Sequence, residues 1–317
     1  MVTLFTTAKP FRGHIATIQM NALTSWARLC PPCEVILLGD EQGSAEAAQH
    51  FGFRHIPHVE RNERGTPLVS SIFETAQRAA QREMLCYVNA DIILVGDLLE
   101  AVRQVSRRRR EFLMVGCRWD VDIMERLDFG QPGWEQELRS YARQRGRLHE
   151  PTGLDYFVFT RGVFDDLPPF ALGRTVWDNW LIYRARSRGV PVIDATLTVT
   201  VLHQNHGYGH HPRGEQEVLY GAEAKRNLDL AGGTFFRFTV EDATHRLTSS
   251  GLELDPSPGR VARRILMFPL LHPRLRFLAA PAGVLAAISR PLRARVAAAL
   301  RGRERRCGLE GRQIFDR

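Results

Sequence analysis

The sequence predicts an α/β fold with a mainly parallel sheet, for two reasons. Short apolar segments alternate with helical patterns through the first 120 residues, as they do in βαβ units. Several of these segments, such as VILLG and FLMVGC, are continuous apolar runs, which is typical of parallel strands covered by helices on both faces. The apolar fraction of 44% and the charged fraction of 25% are those of a globular chain.

The first region is predicted to form a Rossmann-like sheet. Its strands are VTLFTT (2–7), CEVILLG (33–39), FRHIP (53–57), MLCYVN (84–89) and EFLMVGC (111–117). Helical patterns lie between them, at 14–29, 43–51, 67–83 and 97–108. Pro67 stands where the first turn of the third helix is expected, a position that proline tolerates. Each helix therefore connects two strands of one sheet.

The pattern is less regular after residue 120. The predicted elements are a helix at 133–147, a strand pair near 155–166, a helix at 178–188, strands near 190–194 and 197–202, a helix at 215–230 and a hairpin at 235–247. We expect 1–232 to form the main domain, with a smaller subregion from 121 onward. We expect 233–317 to form a basic, partly helical extension.

The positive charge of the chain is concentrated in its C-terminal part. Residues 260–306 contain twelve Arg and one acidic residue, a local charge of +11, whereas the whole chain carries +8. The main domain therefore gives no reason to expect a nucleic-acid partner. Arg-rich apolar segments such as RVARRILMF resemble interfacial helices that bind anionic lipid, although a solvated helical extension has the same composition. No signal peptide or spanning segment is recognisable, so we expect a cytoplasmic protein, in contact with the inner face of the membrane if the tail binds lipid.

The segment LCYVNAD (85–91) ends a predicted buried strand with Asn89 and Asp91. Ligands of open parallel sheets bind beyond the carboxyl ends of the strands. Hard cations such as Mg²⁺ and Mn²⁺ use one or two carboxylates together with substrate phosphates. Asp91 is therefore a candidate ligand for a divalent cation. As a bare tripeptide, the same residues are also compatible with a turn cap.

Two further motifs can take part in chemistry. In WDNW (177–180), Asp178 lies between Trp177 and Trp180, and loss of water there raises the pKa of a carboxyl toward the range of a general base. The alternative is that Asp178 only caps the following helix. Four histidines lie within nine residues: His203, His206, His210 and His211. His203 ends a predicted strand and is the preferred metal ligand, with His206 as the second choice.

In the order of these motifs, residues 1–230 resemble the nucleotide-diphospho-sugar glycosyltransferases of the GT-A fold. Asn89-Ala-Asp91 stands at the place of that superfamily's D-x-D motif, and WDNW at the place of its acidic residue that opens a helix. PTGLDYFVF (151–159) matches its acceptor loop, and VLHQNH (201–206) matches its late metal histidine. Asn89 departs from the pattern, because the family has a carboxylate there. The resemblance therefore leaves metal affinity to Asp91, a histidine and the diphosphate.

The resemblance implies a nucleotide-sugar half at 1–120 and an acceptor half at 121–232. It implies Mn²⁺ or Mg²⁺ as cofactor, a nucleotide-diphosphate sugar as donor and an acceptor of unknown kind. The residues it assigns are Asp178 as the catalytic base, Asp91 and His203 (or His206) at the metal, Thr7, Lys9, Asp40, Arg64, Asn89 and Asp91 at the donor, and Gly153, Asp155 and Trp177 at the acceptor.

The resulting hypothesis is metal-assisted transfer of a sugar to an acceptor hydroxyl, with inversion favoured and retention open. One alternative is a nucleotidyltransferase, although its first loop, TTAKPFRGH, has only Gly13 of the expected glycine-rich pattern. A second alternative is a catalytically silent sugar- or membrane-binding module, which Asn89 favours.

Overall fold

The computed structural model describes residues 2–207, 214–233, 236–272 and 274–275. Its strands, in chain order, are β1 Val2–Thr7, β2 Glu34–Leu38, β3 Arg54–Ile56, β4 Met84–Val88, β5 Ile92–Leu94, β6 Leu113–Val115, β7 Trp119–Val121, β8 Arg147–Leu148, β9 Tyr156–Thr160, β10 Val192–Asp194, β11 Val201–Gln204, β12 His245–Thr248 and β13 Gly251–Leu254. Its helices are α1 Gly13–Ala27, α2 Ser44–Phe51, α3 Val69–Ala79, α4 Asp97–Ser106, α5 Trp134–Arg145, α6 Trp177–Ser187, α7 Gly214–Tyr220, α8 Ala222–Leu230 and α9 Pro258–Leu271.

The predicted α/β class is confirmed. A nine-stranded sheet has the order β13-β12-β10-β6-β9-β4-β1-β2-β3. Strands β1, β2, β3 and β4 run parallel, as crossover helices require, and β9 enters antiparallel between β4 and β6. The strands β1, β4 and β9 are almost entirely buried, in agreement with their continuous apolar sequences.

A second sheet of four strands has the order β5-β11-β7-β8. Strand β5 pairs antiparallel with β11, and β11 pairs parallel with β7. The sequence analysis assigned no strand to β5, β7 or β8, which have two or three residues each. Such short strands depend on their pairing partners and leave little periodicity in the sequence.

Several predicted elements after residue 120 were wrong in detail. Only one strand, β9, forms in the predicted pair at 155–166, and the late strand lies at Val201–Gln204 instead of 197–202. The helix predicted at 215–230 is two helices, separated at Gly221. Within 235–247 a 3₁₀ helix forms at Val240–Asp242, and the hairpin is made by β12 and β13. Among the earlier helices, α3 begins at Val69, after Pro67.

The boundary expected at 232 falls before two strands of the large sheet, because β12 pairs parallel with β10 and β13 follows it. One compact unit ends at Arg260, and the residues from Val261 onward belong to a second. Helix α9, at Pro258–Leu271, begins before this limit and lies within the region 233–317 that was predicted to form a basic, partly helical extension. No helix among the described residues is both long enough and apolar enough to cross a membrane.

Candidate active site

A cleft with a volume of ≈ 320 Å³ opens at the carboxyl ends of β1 and β4. This is the edge at which parallel sheets bind ligands. The cleft brings together most of the residues that the sequence analysis selected. They are Thr7, Lys9, Asn89, Asp91, Gly153, Asp155, Trp177 and Asp178.

The pairing of β5 with β11 brings Asp91 to the histidines. Ile92, the first residue of β5, lies opposite His203 of β11. Asp91 precedes Ile92, and His206 follows shortly after β11, so both side chains reach the same place. His206 Nε2 lies 3.0 Å from Asp91 Oδ2. One possible ligand atom from each of Asp91, His203 and His206 falls within 4.8 Å of the other two.

The charges around Asp91 favour its ionised form. Burial is the largest influence and raises the pKa of this carboxyl, but the hydrogen bond with His206 and the charges of His203 and Lys9 together hold it well below its ordinary value. Lys9 Nζ lies 3.4 Å from His206 Nε2. Burial also lowers the pKa of the Lys9 amine, against the attraction of Asp91 and Asp155. Asp91, His203 and His206 are called the metal-ligand cluster below. This cluster therefore contains a carboxylate that stays ionised and has the Lys9 amine beside it.

The metal-ligand cluster fits a divalent cation. Within the described part of the chain, Asp91 Oδ1 and His203 Nδ1 are buried polar atoms without a hydrogen-bond partner. Such atoms are rare in folded proteins unless a water molecule or an ion satisfies them. The 3.0 Å between His206 Nε2 and Asp91 Oδ2 is about the spacing of adjacent ligands around an ion with bonds of ~2.1 Å. One carboxylate and two imidazoles suit Mn²⁺ better than Mg²⁺, which prefers oxygen.

Asn89 is held by the strand that pairs with β4. Its side-chain amide donates to Asp155 Oδ1 at 2.7 Å, and Arg118 Nη1 donates to Asp155 Oδ2 at 2.6 Å. Asp155 is buried, and both of its carboxylate oxygens are therefore used within the protein. Burial alone would lower the pKa of Arg118, but the charge of Asp155 and its hydrogen bond outweigh burial and raise that pKa. Arg118 also lines the cleft, so the cleft contains a guanidinium that Asp155 holds in place.

Asp178 lies in the first turn of α6, and the N-cap residue is Val176, so Asp178 does not occupy the cap position considered from the sequence. Val176 has φ = 91°, a strained conformation for a β-branched residue, and such strain is concentrated at functional sites. Burial raises the pKa of Asp178 to about 7, with a further increase from the charge of Asp155. Its Oδ1 accepts the backbone N–H of Asn179 at 2.8 Å.

Trp177 fixes the direction of this turn. Its ring contacts that of Tyr87, with centroids 5.4 Å apart in an edge-to-face arrangement, and lies 5.8 Å from the ring of Phe157. Both partners come from the central strands β4 and β9. Edge-to-face contacts of this kind stabilise aromatic pairs beyond the area they bury. The start of α6 is therefore anchored to the same sheet that presents Asp91.

Gly153 allows a close approach, but within the protein. A Cβ atom at this position would lie 2.1 Å from Cδ2 of His149. His149 Nδ1 in turn lies 2.7 Å from Asp120 Oδ2. The ring of His149 therefore requires a residue without a side chain at this position. Gly153 also lines the cleft, and its predicted contact with an acceptor stays a prediction.

Two predicted donor residues do not line this cleft. Asp40 is bound by Arg61, with Arg61 Nη2 2.6 Å from Asp40 Oδ1, and the guanidinium of Arg64 lies 3.8 Å from Glu217. His210 and His211 lie outside the described residues. Among residues that line the cleft, sequence reasoning missed Arg118 and Tyr87. Arg118 directly follows a predicted strand, which is the signal that could have identified it; Tyr87 was hidden within its strand.

Comparison with known proteins gives distant matches only. No protein-family model matches the chain, and no curated protein matches it. Similar solved structures include glucosyl-3-phosphoglycerate synthase from Mycobacterium tuberculosis with Mn²⁺, UDP and glucosyl-3-phosphoglycerate, at 14% identity and a TM-score of 0.44, covering 74% of this chain and 81% of that chain. The same enzyme with Mg²⁺ and UDP matches at 15% identity and a TM-score of 0.43, covering 74% of this chain and 80% of that chain.

The likeness is too distant to assign residues or an activity. Both depend on the geometry of the chain itself.

Proposed function

We propose that the protein is a glycosyltransferase that moves a sugar from a nucleoside-diphosphate donor to an acceptor hydroxyl with the help of a divalent cation. The observation that carries this proposal is the convergence of His203 and His206 on Asp91, which lines a cleft that also contains Asp178. One end of the cleft suits a cation and a diphosphate, and the other end offers a carboxyl that is ready to take a proton.

At the donor end, Asp91, His203 and His206 hold the cation, Mn²⁺ or Mg²⁺. When bound, the cation supplies Lewis-acid stabilisation of the charge that builds up on the leaving diphosphate. Lys9 places an ammonium beside the same phosphates, and Asn89 offers its amide oxygen to the donor, since its N–H is used by Asp155. Thr7 lines the same end. Beyond the residues that line the cleft, Asp40 is proposed to lie near the base and ribose of the nucleotide and Arg64 near its phosphates.

At the acceptor end, Asp178 accepts the proton of the acceptor hydroxyl. The hydroxyl oxygen forms a bond to the anomeric carbon while the bond to the diphosphate oxygen breaks on the opposite face, which inverts the configuration. A pKa of about 7 makes Asp178 a base suited to neutral pH. Gly153, Asp155 and Trp177 shape this wall, with Asp155 acting through its bonds to Asn89 and Arg118.

A release assay distinguishes this proposal from its alternatives. Purified protein is incubated with a panel of nucleotide sugars, with and without Mn²⁺, and the products are separated. We expect slow, Mn²⁺-dependent release of nucleoside diphosphate, with water as a poor acceptor. A nucleotidyltransferase would instead release pyrophosphate from a nucleoside triphosphate and sugar phosphate. If the protein is a silent binding module, the ligand would raise its thermal midpoint and neither product would be released.

The extension carries a second part of the proposal, which is contact with an anionic membrane at the cytoplasmic face. In α9 the exposed apolar residues Val261, Ile265 and Phe268 follow one another at helical spacing. Arg263 and Arg264 lie between Val261 and Ile265 in the sequence, so the helix combines basic and exposed apolar residues, as helices that lie in a lipid interface do. The full chain should sediment with vesicles of phosphatidylglycerol and phosphatidylcholine but not with phosphatidylcholine alone. Ile265→Ser with Phe268→Ser should abolish sedimentation, and retained sedimentation would contradict α9 as the contact.

A further inference from the structure

Helix α1 buries three polar side chains that bond to its neighbours. Gln19, Asn21 and Ser25 are all at most 2% exposed. Each of these side chains bonds to a segment outside the helix. Gln19 Oε1 accepts the backbone N–H of Lys9 at 2.6 Å, and Ser25 Oγ accepts that of Leu94 at 3.1 Å. Burial of a polar side chain lowers stability unless the side chain is fully hydrogen-bonded. These three side chains therefore specify how the neighbouring segments are placed.

Gln204 connects Asn21 of this helix to Asp91 of the metal-ligand cluster. It lies on β11, directly after His203, and is fully buried. Its Nε2 donates to the backbone carbonyl of Asp91 at 3.0 Å and to that of Ile18 at 2.8 Å. Its Oε1 accepts from Asn21 Nδ2 at 2.9 Å. Both protons and the oxygen of this amide are therefore used.

Asn21 completes the network. Its Nδ2 also donates to the carbonyl of Glu125 at 2.9 Å, and its Oδ1 accepts the N–H of Leu127 at 3.0 Å. The Gln204 amide consequently has its orientation fixed by a helix residue that is itself fixed. The backbone N–H of Gln204 adds a longer contact to the carbonyl of Asp91, at 3.4 Å.

We propose that Gln204 is a positioning residue for the metal site, because its side-chain amide fixes the backbone of Asp91 against the strand that carries His203. This inference deepens the proposed function and rests on it. The three ligands come from two distant parts of the chain, and β5 offers only three residues of pairing with β11 to align them. Gln204 is the side chain that holds Asp91 directly, at the point where that pairing ends.

The alternative is that Gln204 only stabilises the fold, as Gln77 does. Gln77 is a buried glutamine of α3 whose Nε2 donates to the carbonyl of Phe164 at 2.9 Å and whose Oε1 accepts from Gly162 N at 3.0 Å. It joins two segments in the same way, but its partners Phe164 and Gly162 lie outside the metal-ligand cluster. Gln77 is therefore a matched control for the general cost of losing a buried amide.

The test measures the affinity of the full-length protein for Mn²⁺ in the presence of UDP, by electron paramagnetic resonance of the free ion. Gln204→Met keeps the volume and removes the hydrogen bonds. We expect it to weaken Mn²⁺ binding about 10- to 100-fold, the usual effect of losing an outer partner of a metal site. Gln77→Met should lower the thermal midpoint by a similar amount and leave the Mn²⁺ affinity unchanged.

Two further variants and the unaltered protein keep the outcome decisive. Asn21→Ala removes the group that orients the Gln204 amide and should weaken Mn²⁺ binding in the same direction, which preserves the test if Gln204→Met does not fold. His206→Ala reports on the ligand set itself. Mn²⁺ binding that is lost in His206→Ala but unchanged in Gln204→Met and Asn21→Ala would overturn the positioning role alone. Absence of Mn²⁺ binding by the unaltered protein would overturn the proposed metal site as well.

Discussion

Asp91 and Asp178 line the same cleft and have both lost much of their water, yet their pKa values are shifted in opposite directions. For both carboxyls burial is the largest influence, and it favours the protonated form. Around Asp91, the hydrogen bond with His206 and the charges of His203 and Lys9 outweigh burial. Around Asp178, the backbone N–H of Asn179 and the charge of Arg237 oppose burial but do not outweigh it.

Because their pKa values differ in this way, the two carboxyls are suited to different tasks in the cleft. A carboxyl that stays ionised over the whole working range is suited to hold a cation, whereas one that titrates near neutral pH is suited to move a proton. The sequence indicated the loss of water at Asp178, which lies between two tryptophans, but it did not show the hydrogen bond and the charges that keep Asp91 ionised. Each variant described next tests one side of this division.

The largest effect is expected from Asp178→Asn. The amide has the same shape and keeps the acceptor oxygen for the backbone N–H of Asn179, but it cannot take a proton. Sugar transfer should fall by about 10²- to 10⁴-fold, the usual contribution of a general base, while the Kd for nucleoside diphosphate with Mn²⁺ stays within twofold. Calorimetry and a transfer assay measure the two quantities. Turnover like that of the unaltered protein would remove Asp178 as the base.

Asp91→Asn tests the opposite side. It removes the anionic ligand and the attraction of Asp91 for Lys9, which lies close to His206. Affinity for Mn²⁺ with UDP should fall by more than the roughly 100-fold that outer partners typically contribute. Asp128→Asn, at an exposed turn, is the control. Divalent-dependent binding that persists in Asp91→Asn would show that the cation is held elsewhere.

The α/β class and the central carboxylate followed from the sequence because both depend on strong local signals. Continuous apolar strands identified the sheet, and Asp91 stood at the end of one of them. The choice between His203 and His206 did not follow, because it depends on the pairing of β5 with β11, and β5 has only three residues. Both histidines converge on Asp91, so the question had no single answer.

The bonds among polar side chains were the other feature beyond the reach of the sequence. Asn89, Asp155 and Arg118 meet only because β9 pairs antiparallel with β4, a connection across 66 residues. In the same way, the ring of His149 packs against Gly153, a contact that the sequence did not indicate. Contacts of this kind are set by tertiary packing and leave no periodic pattern.

The raised pKa of Asp178 also predicts a stability effect with a definite sign. Its pKa is about 7 in the folded chain and near the ordinary value of 3.8 when unfolded, so the folded state holds the proton more tightly. Between about pH 4 and pH 7 this group therefore lowers the free energy of unfolding as pH rises. Asp178→Asn should have no effect at pH 4 and stabilise the protein at pH 8, by at most ~4 kcal/mol at 1.36 kcal/mol per pKa unit. Urea unfolding at both pH values measures this; a difference that does not vary with pH would contradict the shift.

The smallest expected effect concerns Asn89, where restoring the carboxylate of the resembled family looks like a route to stronger metal binding. The structure predicts a cost instead. In Asn89→Asp, two carboxylates would meet where the amide now donates to Asp155 at 2.7 Å, and Arg118 already serves the other oxygen of Asp155. The loss of a hydrogen bond and the repulsion should destabilise the protein by about 1–3 kcal/mol at pH 7 in the absence of metal. Saturating Mn²⁺ should recover part of this loss if the new carboxylate reaches the cation, and thermal unfolding with and without Mn²⁺ measures both quantities. Unchanged stability without metal would mean that the bond between Asn89 and Asp155 does not hold this strand end in place.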